Sequence, residues 1–166
     1  MTEAELAKLY ARYGYVVFRR CLVYVGDPAA AQELVQEIFL RVVRGWDAFQ
    51  GQSEPQRWFC RQVDELCLSR LRHQRRAGVV AAVSGDQVAR VEQAVGNDDL
   101  ASLMSMHQLV GQLDPEACRL AVLYFMDELS EEEVARELGM SRRSVEKRER
   151  ELLQRTRSLL KLESPA

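Results

Sequence analysis

Apolar side chains recur at steps of three and four residues along most of this chain, and this helical spacing constrains its fold more than any other feature. Over residues 4–25 the stripe is formed by Leu6, Leu9, Tyr10, Tyr13, Val16, Val17 and Leu22. The strict alternation of apolar and polar residues that marks a half-buried strand occurs nowhere in the sequence. The spacing therefore predicts an all-α protein.

Breaks in the helical spacing define a first helical domain over residues 1–76. A Gly-Asp-Pro break at residues 26–28 ends the first helix, and its proline suits the first turn of a second helix. That second helix is expected to run to about Phe49. Ser53 is expected to cap a third helix with Pro55 in its first turn, and this helix ends in a run rich in arginine.

Residues 77–99 differ in character from the segments on either side. They contain no aromatic residue, are rich in small residues and carry more acidic than basic groups. This composition predicts an acidic linker between two helical domains, with one short helix in it. An alternative is that Val88, Val91 and Val95 dock on a neighbouring helix.

Three capping signals predict the helices of a second domain over residues 100–166. Asp114 precedes a proline and is placed to cap one helix. Ser130 and Glu133 have the spacing of a capping box, in which each side chain binds the other's backbone N–H. Ser141 is placed to cap a long basic helix that runs to about residue 162.

Residues 131–150 have the pattern of a helix-turn-helix. This motif needs a small residue where its helices touch, a turn residue that tolerates positive φ, and an apolar anchor on the second helix. Ala135, Gly139 and Val145 supply these three features at the expected spacing. A plain helical hairpin with a solvated charged face is the alternative. If the motif binds a major groove, the candidate DNA contacts are Arg142, Arg143, Ser144, Glu146, Lys147 and Arg150.

The net charge of −2 argues at first against a nucleic-acid partner, but its distribution along the chain reverses that argument. Residues 1–76 hold 12 basic against 9 acidic groups, or +3, whereas residues 77–112 hold 1 against 4, or −3. Within residues 113–166 the balance is polarised between −6 over residues 114–137 and +5 over residues 142–161. Local basic segments therefore remain candidates for DNA binding.

Few residues suggest a catalytic or metal-binding site. The two histidines, His73 and His107, are isolated, and no nucleophile, catalytic pair or metal-ligand spacing accompanies them, so we predict no catalytic residue, no metal and no cofactor. No apolar run is long enough to span a membrane, and the start of the chain has no secretory signal, so we expect a cytoplasmic protein. Reduced thiols with a structural role are expected at Cys21, Cys60, Cys67 and Cys118.

The chain as a whole resembles the extracytoplasmic-function (ECF) group of bacterial sigma factors, which have two domains. The resemblance rests on residues 9–14 (LYARYG), 26–28 (GDP) followed by 33–40 (ELVQEIFL), and 49–51 (FQG), on Trp58, on the arginine-rich run at 70–76, and on Leu113-Asp114-Pro115 with the helix-turn-helix. It implies a sigma domain 2 helical bundle followed by a sigma domain 4 with its helix-turn-helix, joined by the acidic linker.

The resemblance also implies partners. It implies core RNA polymerase, bound through the β-prime coiled coil and the β flap, together with promoter DNA and an anti-sigma factor. The linker would thread into polymerase channels. The implied polymerase contacts are Glu33, Leu34, Gln36, Glu37 and Phe39, with Leu34 favoured as a core residue. The implied contacts to the −10 element are Arg57, Arg61, Arg70, Arg72, Arg75 and Arg76. The resemblance assigns the −35 element to the helix-turn-helix contacts over residues 142–150.

The sequence departs from the family pattern in the third helix. Asp64 and Glu65 stand where the family commonly has an arginine–asparagine pair, and carboxylates on a face that meets DNA strands would repel phosphate. The first hypothesis is therefore an ECF sigma factor that directs transcription initiation. The alternatives are a sigma-like regulator that does not melt promoters and a stand-alone helix-turn-helix regulator whose residues 1–76 serve dimerisation. An enzyme is the most distant hypothesis.

Overall fold

The protein is helical throughout the part of the chain that its computed structural model describes, residues 1–78 and 84–163. No strand occurs in those ranges, which confirms the predicted all-α fold class. The chain divides into two compact units, Met1–Gly111 and Gln112–Ala166. The helices are α1 (Glu3–Val25), α2 (Pro28–Arg44), α3 (Trp46–Gln50), α4 (Pro55–Arg76), α5 (Gly85–Val95), α6 (Asn97–Gln112), α7 (Pro115–Ala121), α8 (Glu131–Leu138) and α9 (Arg142–Glu163), with a π-helical turn at Val122–Met126.

The Gly-Asp-Pro break separates α1 from α2 as the sequence predicts. Gly26 ends α1 in the left-handed region, with φ 68°, and its N–H donates to the Leu22 carbonyl over 2.7 Å. Asp27 then caps α2, because its carboxylate accepts from the Ala30 N–H at 3.0 Å, and Pro28 occupies the first turn. Two adjacent local signals thus fix the corner between the first two helices.

Phe59 on α4 is the centre of the core that α1, α2 and α4 share. Its side chain is fully buried, and its ring lies 5.1–5.5 Å from the rings of Tyr13, Phe39, Phe49 and Trp58. Offset and edge-on aromatic pairs at this separation each add about 0.5–1.5 kcal/mol beyond the area they bury. The aromatic cluster therefore holds α2, α3 and α4 in fixed positions on α1.

Two local predictions for the first unit are wrong. The second helix ends at Arg44 rather than near Phe49, because the chain turns at Gly45 before the short α3 places Phe49 in the aromatic cluster. The cap of α4 is also misplaced by one residue. Glu54 holds the N-cap position, without a side-chain cap hydrogen bond, in place of Ser53.

The segment predicted as a linker is largely folded onto the first unit. Residues 79–83 lie outside the described ranges, but α5 and α6 follow, and the first unit extends to Gly111 rather than ending at residue 76. The reason is burial of an apolar side, since Val91, Leu103 and Val110 are each at most 3% exposed. The alternative in which the valines of this segment dock on a neighbouring helix is the one observed for Val91.

The second unit is built from the predicted caps. Asp114 accepts from the Ala117 N–H at 3.0 Å, and Ser130 forms the full capping box with Glu133. The π-helical turn follows α7, with the Asp127 N–H donating to the Val122 carbonyl at 3.1 Å. The interior of the second unit is lined by Leu113, Cys118, Leu120, Ala121, Val122, Leu123, Val134, Val145 and Leu152.

All four cysteines lie in the described ranges and are buried thiols. A hydrogen bond with Cys21, followed by burial, raises the pKa of the Cys67 thiol well above its usual value, so this thiol stays protonated. Within the described residues, no group of His, Cys, Asp or Glu is arranged to hold a metal ion. None of the described helices combines the length and apolarity that crossing a membrane requires.

Candidate nucleic-acid and partner interfaces

The exposed side of α4 carries three of the arginines that the sequence singles out for the −10 element. Arg61, Arg72 and Arg76 are separated by whole helical turns, so they lie along one side of the helix, and all three are exposed. Glu65 is exposed on the same side, between the first two of them. This α4 face therefore has a basic excess that Glu65 reduces.

The other three arginines of the predicted −10 set are either less exposed or lie on another side of α4. Arg57 and Arg75 are half-buried, and Arg75 donates through NH2 to the Val110 carbonyl over 3.2 Å. Arg70 lies on another side of α4 and forms an ion pair with Glu37 of α2, at 2.9 Å. Arg70 is therefore paired with α2 instead of lying on the α4 face.

Asp64 is not on the DNA-facing side where the sequence interpretation placed it. Its side chain is buried, and its two carboxylate oxygens accept from Nε and NH2 of Arg20, each at 2.8 Å. The Tyr24 hydroxyl donates to the same carboxylate at 2.9 Å. The interpretation of Asp64 as a phosphate-repelling group is wrong, because the carboxylate serves as the partner of a buried arginine in the core.

The predicted polymerase contacts on α2 separate into exposed and buried residues. Glu33 and Gln36 are exposed, and Glu37 is half-buried between Arg41, at 3.4 Å, and Arg70. Leu34 and Phe39, at 0% and 5% exposed, lie in the core. Neither of these two side chains is available for docking, because the spacing of the apolar stripe directs both toward α1 and α4.

Two apolar residues of α2 that the sequence interpretation left out are exposed in their place. Leu40 is 50% exposed and Val43 is 40% exposed. They lie one and two turns beyond Gln36 on the side of α2 opposite its buried stripe. We refer to Glu33, Gln36, Leu40 and Val43 as the α2 face. Helical spacing in the sequence could have revealed the α2 face. Leu40 does not share the three- and four-residue spacing that places Leu34, Ile38 and Val42 on the buried side of the helix.

The connection between α8 and α9 has the features that the helix-turn-helix pattern predicts. Gly139 ends α8 in the left-handed region, with φ 62°, and the Ser141 hydroxyl accepts from the Ser144 N–H at 3.2 Å. Val134 of α8 and Val145 of α9 are both fully buried, whereas Ala135 is half-buried. Tight packing of α8 on α9 leaves the outer side of α9 exposed.

Arg142, the first residue of α9, is surrounded by carboxylates. Its Nε lies 3.2 Å from Glu131 and 3.6 Å from Glu146, and its NH1 lies 3.6 Å from Glu132. Exposed pairs of this kind contribute little stability, about 0–1 kcal/mol each. They do offset the positive charge of Arg142 at the start of α9.

Glu149 adds a further carboxylate beside this cluster. Partial burial and the nearby carboxylates of Glu131 and Glu146 raise the pKa of Glu149, and the Tyr124 hydroxyl lies 3.4 Å from it. Burial, followed by the charge of Glu149, raises the pKa of Tyr124 to about 12. The first turns of α9 therefore have less positive potential than their arginines alone suggest.

The positive charge of the other basic residues on the exposed side of α9 is offset less by nearby carboxylates. Arg143, Lys147 and Arg150 are exposed, and Arg150 Nε donates to the Glu146 backbone carbonyl at 3.4 Å. Ser144 shares a hydroxyl hydrogen bond with Ser141, at 2.8 Å, within the cap. We refer to Arg143, Lys147 and Arg150 as the α9 basic face, and it is the part of the second unit best suited to phosphates and base edges.

Comparison with protein families matches residues 9–77 to the family described as Sigma-70 region 2. The matched range covers α1 from Leu9 to the end of α4, so it coincides with the aromatic core, the α2 face and the α4 face. This segment is therefore similar to Sigma-70 region 2, and residues 78–166 lie outside the match. No curated protein matches the chain.

Proposed function

We propose that this protein is an ECF-type sigma factor, which binds core RNA polymerase in the cytoplasm and directs promoter recognition and transcription initiation without chemistry of its own. The observation that carries the proposal is the Sigma-70 region 2 match over residues 9–77. Proteins with this region bind core polymerase and promoter DNA. The basic faces of α4 and α9 supply two surfaces for that DNA.

Each surface has one role in the proposal. The α2 face docks on the β-prime coiled coil, with Leu40 and Val43 giving it an apolar centre beside the polar Glu33 and Gln36. The α4 face holds the −10 element, and the α9 basic face reads the −35 element. The second unit also contacts the β flap, and an anti-sigma factor regulates the protein by covering one of these faces.

Reconstitution with core polymerase tests the proposal as a whole. The holoenzyme should select genomic fragments with a shared −35/−10 pattern, start transcripts from them, and make −10 thymines reactive to permanganate. Transcripts that depend on the protein would support the proposal. Polymerase binding without strand opening on any fragment would favour the sigma-like regulator instead, and Glu65 on the α4 face is the observation that keeps this second candidate.

The docking surface is tested by a matched pair of double variants. Glu33→Ala with Gln36→Ala should weaken binding to core polymerase, because both side chains belong to the α2 face. Glu92→Ala with Gln93→Ala removes the same two side-chain types from exposed positions on α5 and should leave that affinity unchanged. Leu40→Ala should weaken binding more than either pair, since apolar centres dominate interfaces. Equal affinities for all variants would show that polymerase docks elsewhere.

A further inference from the structure

Residues 84–111 form a docked arm that is held at the corner between α1 and α2. Gln87 Nε2 of α5 donates to the Gly26 carbonyl over 2.6 Å, and Arg90 lies 3.3 Å from Asp27. On α6, Nδ1 of the buried His107 lies 2.8 Å from the Val23 carbonyl, to which it donates. The arm is therefore bound to α1 by specific polar contacts as well as by its buried valine and leucine side chains.

A second contact of the arm has the geometry of an anion-binding site. The Asp99 carboxylate of α6 accepts from the Tyr15 hydroxyl at 2.6 Å and from Arg19 NH2 at 3.2 Å. The hydrogen bond to Asp99 is the main cause of a raised pKa for Tyr15. The Arg19 guanidinium also lies over the Tyr15 ring, 5.9 Å from its centre, which fixes both donors relative to each other.

The carboxylate of Asp99 does not use all the donors of this site. Arg19 Nε lies 3.1 Å from Asp99 Oδ2, but it is not aligned for a hydrogen bond and is buried without another acceptor. A phosphate group presents more oxygens in a tetrahedral arrangement and suits the two-donor edge of a guanidinium. The Tyr15 side chain is half exposed, so its ring also offers a face on which a base can stack.

The arm also forms a hydrogen bond with a second arginine of the first unit. The Val110 carbonyl near the end of α6 accepts from Arg75, which belongs to the predicted −10 set. Docking of α6 thus engages two arginines, Arg19 and Arg75, at separate points along one helix. A strand of DNA that requires these cations has to compete with the arm for them.

We propose that Arg19 and Tyr15 form a binding site for a backbone phosphate of single-stranded DNA, and that Asp99 occupies this site in the free protein. Docking of the arm and binding of the strand are then mutually exclusive at α1. The inference rests on the proposed function in taking promoter DNA as the source of the phosphate. Release of the arm is the step that makes the site available.

The test compares two variants of the full chain that remove the same charge at adjacent positions. Asp99→Asn should tighten binding of a fluorescent oligothymidine strand, followed by anisotropy, by about five- to tenfold at low salt. It should also make log Kd against log salt steeper by about 0.7, the value of one added phosphate contact on a single strand. Asp98→Asn, at an exposed position, should give less than about a twofold change and no change in slope. Equal effects of the two variants would overturn the proposal.

A second variant identifies the cation involved. Arg19→Gln added to Asp99→Asn should return both the affinity and the salt slope to those of the unaltered chain. If the double variant keeps the gain, the added contact lies elsewhere and the proposal is wrong. Amide hydrogen exchange of residues 103–110 should accelerate when the strand is added to the unaltered chain, and unchanged exchange would contradict release of the arm.

These measurements are independent of the test of the proposed function. Oligothymidine binding requires neither polymerase nor a promoter, so a gain in Asp99→Asn would establish the phosphate site even if the holoenzyme starts no transcripts. Conversely, active holoenzyme together with identical strand affinities for the unaltered chain and both aspartate variants would leave the proposed function intact and refute the phosphate site.

Discussion

Arg20 and Asp64 form a buried ion pair whose energetics differ from those of the surface pairs in this protein. Both residues are 2% exposed, and the two hydrogen bonds of 2.8 Å give the pair the fork geometry that best offsets desolvation. Tyr24 supplies a third donor to the carboxylate. Removing one partner leaves a buried charge without compensation, whereas replacing both removes the desolvation cost along with the attraction.

Asp64→Ala should therefore lower the free energy of unfolding of the first unit by about 3–5 kcal/mol. Arg20→Met with Asp64→Leu should recover most of that loss. Urea denaturation followed by tryptophan fluorescence measures this unit specifically, because both tryptophans of the chain, Trp46 and Trp58, lie in it. Glu65→Ala, the exposed neighbour, should change stability by no more than about 0.5 kcal/mol. A loss in Asp64→Ala as small as that of Glu65→Ala would contradict a structural role for the pair.

Gly26→Ala tests the close approach of the arm to the corner between α1 and α2. A Cβ at this position would overlap His107 Nε2 and lie 2.6 Å from Gln87 Nε2, and both side chains are held by hydrogen bonds. Gly78 also has a positive φ, of 73°, but a Cβ there meets no atom of the described residues within 4 Å. Gly78→Ala should therefore cost about 1 kcal/mol from backbone strain alone.

Gly26→Ala should cost about 1–3 kcal/mol more than Gly78→Ala in the same tryptophan-monitored denaturation, because the clash adds to the strain. Amide exchange should accelerate in α6 for Gly26→Ala and remain unchanged for Gly78→Ala. Equal losses of stability for the two variants would show that the arm does not bear on Gly26.

Helix α9 presents two kinds of arginine at its start, and they should contribute differently to DNA recognition. Arg142 is engaged by three carboxylates, whereas Arg143, about 100° around the helix from it, is exposed. Removing Arg142 leaves the carboxylates uncompensated, so it raises repulsion of phosphate whatever the sequence of the DNA. Removing Arg143 takes away a donor suited to a guanine edge.

Arg143→Ala should weaken binding to a cognate −35 site by about 1–3 kcal/mol and reduce discrimination against a scrambled site. Arg142→Ala should weaken binding to cognate and scrambled sites by similar factors. Competition between the two fragments for the holoenzyme measures both effects. An equal loss on both fragments in Arg143→Ala would instead identify Arg143 as a phosphate contact.

Helix boundaries were predictable from sequence where a local signal determines them and not where packing does. The caps at Asp27, Asp114 and Ser130 involve residues within three positions of one another, so they follow from the sequence directly. The turn at Gly45 depends on the place that the aromatic cluster offers to Phe49. No residue within a few positions of Gly45 carries that information.

The same distinction applies to the site residues: local helical spacing made some of them predictable, and those whose environment depends on a distant partner were not. Exposure of Arg143 and Lys147 could be predicted from helical spacing, and so could burial of Leu34, which the apolar stripe already favoured as core. Burial of Asp64 could not, because it depends on Arg20 lying opposite on α1, 44 positions earlier in the chain. A charged residue in a helix looks solvated until its partner is known.

The two compact units divide the charge of the chain unevenly. A net charge of −2 for the chain combines the basic faces of α4 and α9 with acidic groups on the arm and at the start of the second unit. Nucleic-acid affinity of the free chain should consequently be weak and steeply salt-dependent, since few cations are uncompensated. Polymerase would supply the remaining affinity in the proposed function.

The extent of the first unit leads to a prediction about truncated chains. A chain of residues 1–111 contains the whole docked arm, whereas a chain of residues 1–99 ends near the boundary that composition alone predicts and lacks most of α6. Loss of Leu103 and Val110 removes two buried apolar side chains, which together are worth about 3–6 kcal/mol.

Tryptophan-monitored urea denaturation should therefore give the 1–111 chain the same midpoint as the first transition of the full chain, because all contacts of the first unit are retained. The 1–99 chain should unfold at a clearly lower urea concentration and should show faster amide exchange in α1 around Val23, whose carbonyl loses the His107 donor. A matched substitution, His107→Ala in the 1–111 chain, should reproduce part of both effects without any change in length. If the 1–99 chain were as stable as the 1–111 chain, α6 would be an appendage rather than part of the first unit, and the boundary predicted from composition would be the better description of how this molecule is divided.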